Sequence, residues 1–308
     1  MTRPGTRSFL FLSVVVATWA PAAAQAQGEF LYKRDYTFER LEASRVVNDA
    51  DDAGTIRLVT QVWHPVKNDQ HKVVFFSHGS TGALALSPLE FGGDGSARQW
   101  LQFFIERGYT IVWPFRRGRG LSTGKYIEEC ATLVGECTPA QQLALTDRGL
   151  ASALEDNYAV IDQLVIGKMV PKDAKLLLAG QSRGGYLSLI MAGERPGQVQ
   201  GAVNFAGAWQ SMQERLSPAD IQHRLDVQGG PLARAARKST APTLWIYAAR
   251  DPNYTAQAPR ELFRIWREAG GRGDFHFIEE HNLPNAHLAL GAAALWSAEL
   301  EAFLKKLE

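Results

Sequence analysis

The chain has 308 residues, 45% of them hydrophobic and 21% charged, the balance of a globular protein rather than a disordered or fibrous one. Its 33 Lys and Arg stand against 32 Asp and Glu with no block of like charge, which argues against nucleic acid or an anionic membrane surface as a partner. The length accommodates one large α/β domain or two small ones.

Arg3 and Arg7 precede the apolar run Phe9–Ala20, and a small-residue stretch, Pro21–Gln27, follows it. A basic start, a short apolar middle and an A-x-A exit predict a secretory signal peptide over residues 1–26. Ala22-Ala23-Ala24 and Ala24-Gln25-Ala26 both satisfy the cleavage rule, so the mature chain is expected to start near Gln25 or Gln27. The apolar run is shorter than the roughly 20 residues a bilayer span needs. No stable membrane insertion is therefore expected after cleavage, and the mature protein is placed in the periplasm or outside the cell. Cys130 and Cys137 are the only cysteines. In an oxidising compartment they read as a disulfide closing a small loop. No third or fourth soft ligand accompanies them, so a metal site is not expected.

No linker or repeat divides the rest, which reads as one domain, residues 27–308. Residues 30–41 and 55–64 read as two rather exposed strands that form an antiparallel edge. Continuous apolar runs then follow at Val73–Phe76, Tyr109–Trp113, Leu176–Leu178, Ala202–Phe205 and Thr243–Tyr247. Runs without alternation suit strands buried on both faces of a parallel sheet. Between them lie helical stripes: Leu101, Phe104 and Ile105; Leu150, Leu154, Ile161, Leu164 and Val165; and Leu262, Ile265, Trp266 and Ala269. Gly108 and Gly270-Gly271 stop the first and third. Strands alternating with amphipathic helices mean βαβ units in an α/β fold.

The most specific segment is Leu176–Ile190, where Gly180-Gln181-Ser182-Arg183-Gly184 joins a predicted strand to a predicted helix. G-x-S-x-G in that context sets Ser on a sharp, strained turn that lifts its Oγ above the sheet. The following helix start directs free N–H groups and its positive dipole end toward a developing anion. Ser182 is thus the candidate nucleophile; the alternative is a tight strand–helix turn without chemistry.

On these residues the chain resembles the α/β-hydrolase family, in particular its small dienelactone-hydrolase-like and prolyl-oligopeptidase-like members, over roughly residues 55–305. The resemblance implies a mostly parallel sheet of about eight strands with helices on both faces. It also implies a triad in the order Ser, acid, His. Asp251 follows the Thr243–Ala249 strand in Ala-Ala-Arg-Asp-Pro, where the family's acid sits, and His287 follows the predicted strand 274–280 in Asn-Ala-His-Leu. Their rivals are Asp220 and Glu214 for the acid, and His281 for the base. His281 is expected to end the last strand on the face of Phe275, Phe277 and Glu279. The typical dienelactone hydrolase has Cys as nucleophile where this chain has Ser182, a departure that bears on substrate and not on hydrolysis itself.

Phe76–Gly82 resembles the family's H-G-x oxyanion loop, which implies the backbone N–H groups of Ser80 and Arg183 as oxyanion donors and a structural role for His78. Phe115–Gly124 resembles the R-G-x-G-x-S-x-G loop of prolyl-oligopeptidase-like relatives. There Arg116, Arg117 and Arg119 either bind an acidic substrate group or, the preferred reading, brace the loop through backbone carbonyls and carboxylates such as Glu90 or Asp94. Residues 125–146 read as a rim over the pocket, with Glu128-Glu129 a solvated pair. His64, His71, His223 and His276 show no zinc-ligand spacing, and no metal or cofactor is called for. The whole implies an exported serine hydrolase that cleaves a carboxylic ester through an acyl-enzyme on Ser182, its partner a small-molecule ester or short peptide substrate. The alternatives are a small serine peptidase of prolyl-oligopeptidase-like type and a non-catalytic binding protein on the same fold.

Overall fold

Alternate residues of the central strands feed two different cores, which is why those strands read as unbroken apolar runs. In β3 (Lys72–Ser77), Val73 and Phe75 pack into one core and Val74 and Phe76 into the other. In β5 (Leu176–Gln181), Leu176 and Leu178 likewise oppose Leu177 and Ala179. The computed structural model describes residues 35–49, 52–80, 97–128 and 139–308, which belong to one compact unit, Leu31–Glu308. The expected signal segment 1–26, the pair Cys130 and Cys137, and Glu90 and Asp94 lie outside the described residues.

Eight strands form one sheet in the order β1-β2-β4-β3-β5-β6-β7-β8. The remaining ones are β1 (Tyr36–Asp49), β2 (Asp52–Pro65), β4 (Tyr109–Pro114), β6 (Val199–Phe205), β7 (Thr243–Ala248) and β8 (Gly273–Ile278). The β1–β2 and β2–β4 pairs are antiparallel and every other pair is parallel. On one face α1 (Arg98–Glu106) and α6 (Ser297–Lys305) close the core with Trp100, Phe103, Phe104, Leu300 and Phe303. The opposite face is covered by α2 (Pro139–Val160), α3 (Arg183–Glu194), α4 (Pro218–Lys238) and α5 (Gln257–Glu268). Each fully buried Leu or Phe contributes roughly 1.5–3 kcal/mol. A local cap helps α4: the Ser217 hydroxyl accepts from Asp220 N–H at 3.1 Å and Pro218 opens the helix.

Three expectations change. Residues 55–64 are not an exposed strand: Ile56 and Leu58 through Trp63 are all buried, because β2 lies inside the sheet with a core on each face, Ile56, Leu58 and Val62 in one and Trp63 in the other. The last strand stops at Ile278, two residues early. The segment expected as a rim up to residue 146 turns helical at Pro139.

The loop after β4 is built on buried charge. Arg116 and Arg117 are 1% and 2% exposed. The Arg116 guanidinium donates to both oxygens of Glu128 (2.5 and 3.0 Å) and to the His78 carbonyl at 2.8 Å. The Glu128 carboxylate also accepts from the Tyr126 hydroxyl at 3.0 Å. Arg117 donates from its amide (2.9 Å) and its guanidinium (3.2 Å) to Asp156 of α2, which takes Arg45 of β1 as well at 2.6 Å. Arg119, also buried, lies 3.2 Å from the centre of the Tyr126 ring. Arg116 and Arg117 are thus engaged by Glu128 and Asp156 and are not offered to an acidic substrate group. They brace the loop through Glu128, Asp156 and the His78 carbonyl, while Glu90 and Asp94 lie outside the described residues. Glu128, read as solvated, is buried and is the hub of the cluster.

Burial alone would raise the Glu128 carboxyl, but the Arg116 guanidinium outweighs it and holds the group at about 2, against an ordinary 4.5. Burial first, and then the same guanidinium, lowers His78 from 6.5 to about 3. Both folded values lie below the unfolded ones. From pH 6.5 down to about 3 the unfolded chain binds a proton on His78 that the folded chain refuses, and from 4.5 to about 2 it does so on Glu128. Stability should therefore be full at neutral pH and fall steadily below pH 6.5 in thermal or urea unfolding. Glu128→Gln leaves Arg116 buried without its counter-ion, at a cost on the order of 3–5 kcal/mol at pH 7. The same variant should also show a flatter pH dependence below 4.5, and an unchanged slope there would contradict the assignment.

Candidate active site

Ser182 has φ 56° and ψ −126°, a backbone conformation that costs a non-glycine residue on the order of 1–3 kcal/mol. Two glycines make the turn possible. A Cβ on Gly184 would lie 1.8 Å from the Ser77 carbonyl oxygen, and one on Gly180 would lie 2.2 Å from the Gly184 carbonyl oxygen. Only bare backbone fits where β3, β5 and α3 meet. Ser182 N–H donates to the Phe205 carbonyl of β6 at 2.8 Å, which pins the turn to the next strand. The helix α3 begins one residue later, at Arg183, so the Arg183 amide is among the first N–H groups that have no partner within the helix.

The loop leaving β3 runs alongside the serine, since a Cβ on Gly79 would come within 3.0 Å of Ser182 Cβ. His78 holds this loop in shape. Its Nδ1 donates to the Gly79 carbonyl at 2.7 Å and its Nε2 accepts from Arg116 N–H at 3.2 Å. Both ring nitrogens are occupied, and burial keeps the ring neutral, so His78 has a structural part. Ser80 follows at the exposed end of the loop. Arg183 turns its side chain to the Trp209 carbonyl (2.9 Å) and the Tyr126 hydroxyl (3.2 Å), with Glu128 at 3.9 Å. Of the two residues expected to supply oxyanion donors, Arg183 follows Ser182 and reaches Glu128, and Ser80 follows Gly79, whose carbonyl, like that of His78, accepts from Arg116.

Asp251 and His287 meet above β7 and β8. Asp251 Oδ2 lies 2.9 Å from His287 Nδ1, with both side chains mostly buried. The other carboxylate oxygen accepts from Asn253 N–H at 2.7 Å, so the acid's own turn fixes its orientation. His287 sits on a short 3-10 turn, Ala286–Gly291, opened by Asn285, whose side chain accepts from His287 N–H at 3.0 Å. The Gln181 side chain, next to the nucleophile, donates to the His287 carbonyl at 2.9 Å. Tyr254 adjoins the pair: its ring centre is 5.4 Å from that of His287, and its N–H donates to the Asp251 carbonyl at 3.3 Å. Ser182, Asp251 and His287 therefore gather at the carboxyl end of the parallel strands, the usual place for ligands in such sheets.

The rivals lie elsewhere. His281 is in the loop beyond β8, not at a strand end beside Phe275 and Phe277. Its Nε2 meets the Ala249 carbonyl at 2.7 Å and its Nδ1 accepts from Leu283 N–H at 3.2 Å, so both nitrogens serve the backbone. Asp220 is exposed and bonds Ser217 at the start of α4, and Glu214 is exposed in the preceding turn. Sequence reasoning missed Glu128, Tyr126, Asp156 and Tyr254. Only Asp156 left a trace: with Asn157 it puts polar residues within the apolar stripe of α2, where both are buried.

No protein-family model matches the chain, and no curated protein is similar to it in sequence. Solved structures are similar in fold. The esterase Pf2001 of Pyrococcus furiosus superposes with a TM-score of 0.57 at 14% identity over 90% of this chain and 93% of its own. The uncomplexed acylaminoacyl peptidase of Pyrococcus horikoshii does so with a TM-score of 0.57 at 14% identity, over 89% of this chain but 43% of that longer one. Acetyl xylan esterase 1 from Thermoanaerobacterium sp. JW/SL YS485 gives 0.50 at 14% identity, over 83% and 88%. With its eight-stranded, mostly parallel sheet and helices on both faces, the chain has the α/β-hydrolase fold.

Proposed function

We propose that the protein is a serine hydrolase that cleaves a carboxylic ester through an acyl-enzyme on Ser182. The observation that carries this reading is the buried Asp251–His287 pair, 2.9 Å apart, tied through Gln181 to the turn that holds Ser182 in a strained left-handed conformation. With Nδ1 facing Asp251, His287 has Nε2 left to take the Ser182 proton as Oγ bonds to the acyl carbon. The carbonyl electron pair moves onto its oxygen, which the Ser80 and Arg183 N–H groups receive. One such donor is typically worth about 2.7–4 kcal/mol in the transition state. Collapse expels the alcohol, which takes the proton from His287 Nε2. Water then gives a proton to the same nitrogen as it attacks the acyl carbon, and on collapse the imidazolium passes that proton to Ser182 Oγ, releasing the acid and free Ser182. Asp251 keeps the ring tautomer and stabilises the imidazolium throughout.

An ester is favoured over a peptide because full-length likeness runs to esterases, whereas the peptidase neighbour is matched over only 43% of its chain. Ser182→Ala and His287→Ala should each lower kcat on the best ester by roughly 10⁴-fold or more, and the double variant little further, because the residues act as one unit. His281→Ala should act mainly on stability. Activity of Ser182→Ala within tenfold of wild type, across a panel of esters and peptides, would end the reading.

We also infer export, from the order of basic, apolar and A-x-A segments at the amino end. Protein recovered outside the cytoplasm should have an intact mass lacking residues 1–24 or 1–26 and a linked Cys130–Cys137. An unprocessed terminus or two free thiols would count against it.

A further inference from the structure

We propose that Gln181 is a positioning residue for His287: its side-chain amide holds the turn that carries the base against the nucleophile's own strand. This rests on the serine-hydrolase reading above and adds a fourth side chain to it. The topology creates the need. His287 follows β8, and β7 and β6 lie between β8 and β5, at whose end Ser182 stands. At about 4.8 Å per strand, the chain must travel back roughly 14 Å across the sheet.

Two contacts bring it as far as the end of β7. His281 Nε2 meets the Ala249 carbonyl at 2.7 Å, and His287 Nδ1 lies 2.9 Å from Asp251. Gln181 supplies the rest: its side-chain N–H donates to the His287 carbonyl at 2.9 Å, joining residues 106 apart in sequence. The strand fixes which way that side chain goes. Gln181 ends β5 in register with Phe205, and Ala179 and Leu177, two and four residues before it, pack with Phe205 in one core. Ala286, Ala289 and Leu290 of the His287 turn are buried in that same core. Alternation therefore sends Gln181 to the face on which the turn lies.

A carbonyl oxygen can only accept, so the amide nitrogen of Gln181 must face His287. The amide oxygen lies toward the loop after β3, where a Cβ on Gly79 would come 3.5 Å from it. One side chain thus touches the backbone of the base and borders the loop beside the serine, and its residue immediately precedes the nucleophile. Within the turn, Asn285 accepts from His287 N–H at 3.0 Å, so both backbone polar groups of His287 are bonded by side chains. Asn285 moves with the turn, whereas Gln181 belongs to the elbow. It is the bond from Gln181 that sets the separation of base and nucleophile.

A residue that acts through His287 should matter only while His287 is present, which gives the test. Gln181→Met keeps the length and loses the N–H, whereas Gln181→Glu keeps the shape and sets a carboxylate oxygen against the carbonyl. Each is made alone and together with His287→Ala, and kcat and KM on p-nitrophenyl acetate are measured beside a melting curve. Should Gln181→Met not fold, Gln181→Glu carries the same comparison. Expected is a kcat about tenfold below wild type for Gln181→Met, the loss of one hydrogen bond, with KM unchanged. Gln181→Glu should be slower still. In the His287→Ala background either change should alter kcat by less than about twofold. A wild-type kcat for Gln181→Met, or the same loss with and without His287, would overturn the proposal and leave the hydrolase reading standing. A wild type inert toward the ester, or a His287→Ala variant as active as wild type, would overturn both.

Discussion

The contact that everything else depends on is backbone against backbone, where β3, β5 and the start of α3 meet. Gly184 passes so close to the Ser77 carbonyl that a single added carbon would sit 1.8 Å from its oxygen. That closeness lets the helix start immediately after the strand, and the abrupt start is what forces Ser182 to φ 56°. Strain of on the order of 1–3 kcal/mol persists only where surrounding structure over-determines it. Here the bond to Phe205 and the buried strands on either side do so. The site is stiff because the sheet beneath it is.

A second layer of order comes from charge rather than from packing. Arg116 reaches the His78 carbonyl on one side and Glu128 on the other, and Glu128 in turn neighbours Arg183. The loop beside the serine and the residue after it are thereby referred to one buried carboxylate. Such clusters seldom add stability beyond what apolar packing would give. Their value here is geometric, since they hold the loop after β3 in a fixed relation to the start of α3. That division of labour explains why three arginines near a candidate active site are turned away from solvent.

Much of this was legible in the sequence. The central strands announced themselves because burial on both faces leaves no polar alternation, and the elbow because two glycines flank a serine between a strand and a helix. The family resemblance put Asp251 and His287 forward together, and their side chains do meet, at 2.9 Å. The failures have physical causes as well. Residues 55–64 read as an exposed strand, yet even its polar Thr60 and Gln61 are buried. Glu128 stands beside another glutamate and looks solvated, because its true partner is an arginine on a different turn of the loop. Tyr254 carries no sequence signal at all, for its meaning depends on which way a turn folds toward the elbow. Local pattern reports burial and turns, whereas pairing across a site is a property of the folded chain.

The central claim is that Ser182 Oγ attacks and that two backbone amides receive the charge. A crystal structure of the protein after reaction with an organophosphate ester tests it most directly. Expected is phosphorus bonded to Ser182 Oγ, with the phosphoryl oxygen about 2.7–3.1 Å from the N–H groups of Ser80 and Arg183. Phosphorus on another residue, or a phosphoryl oxygen directed away from both amides, would contradict it.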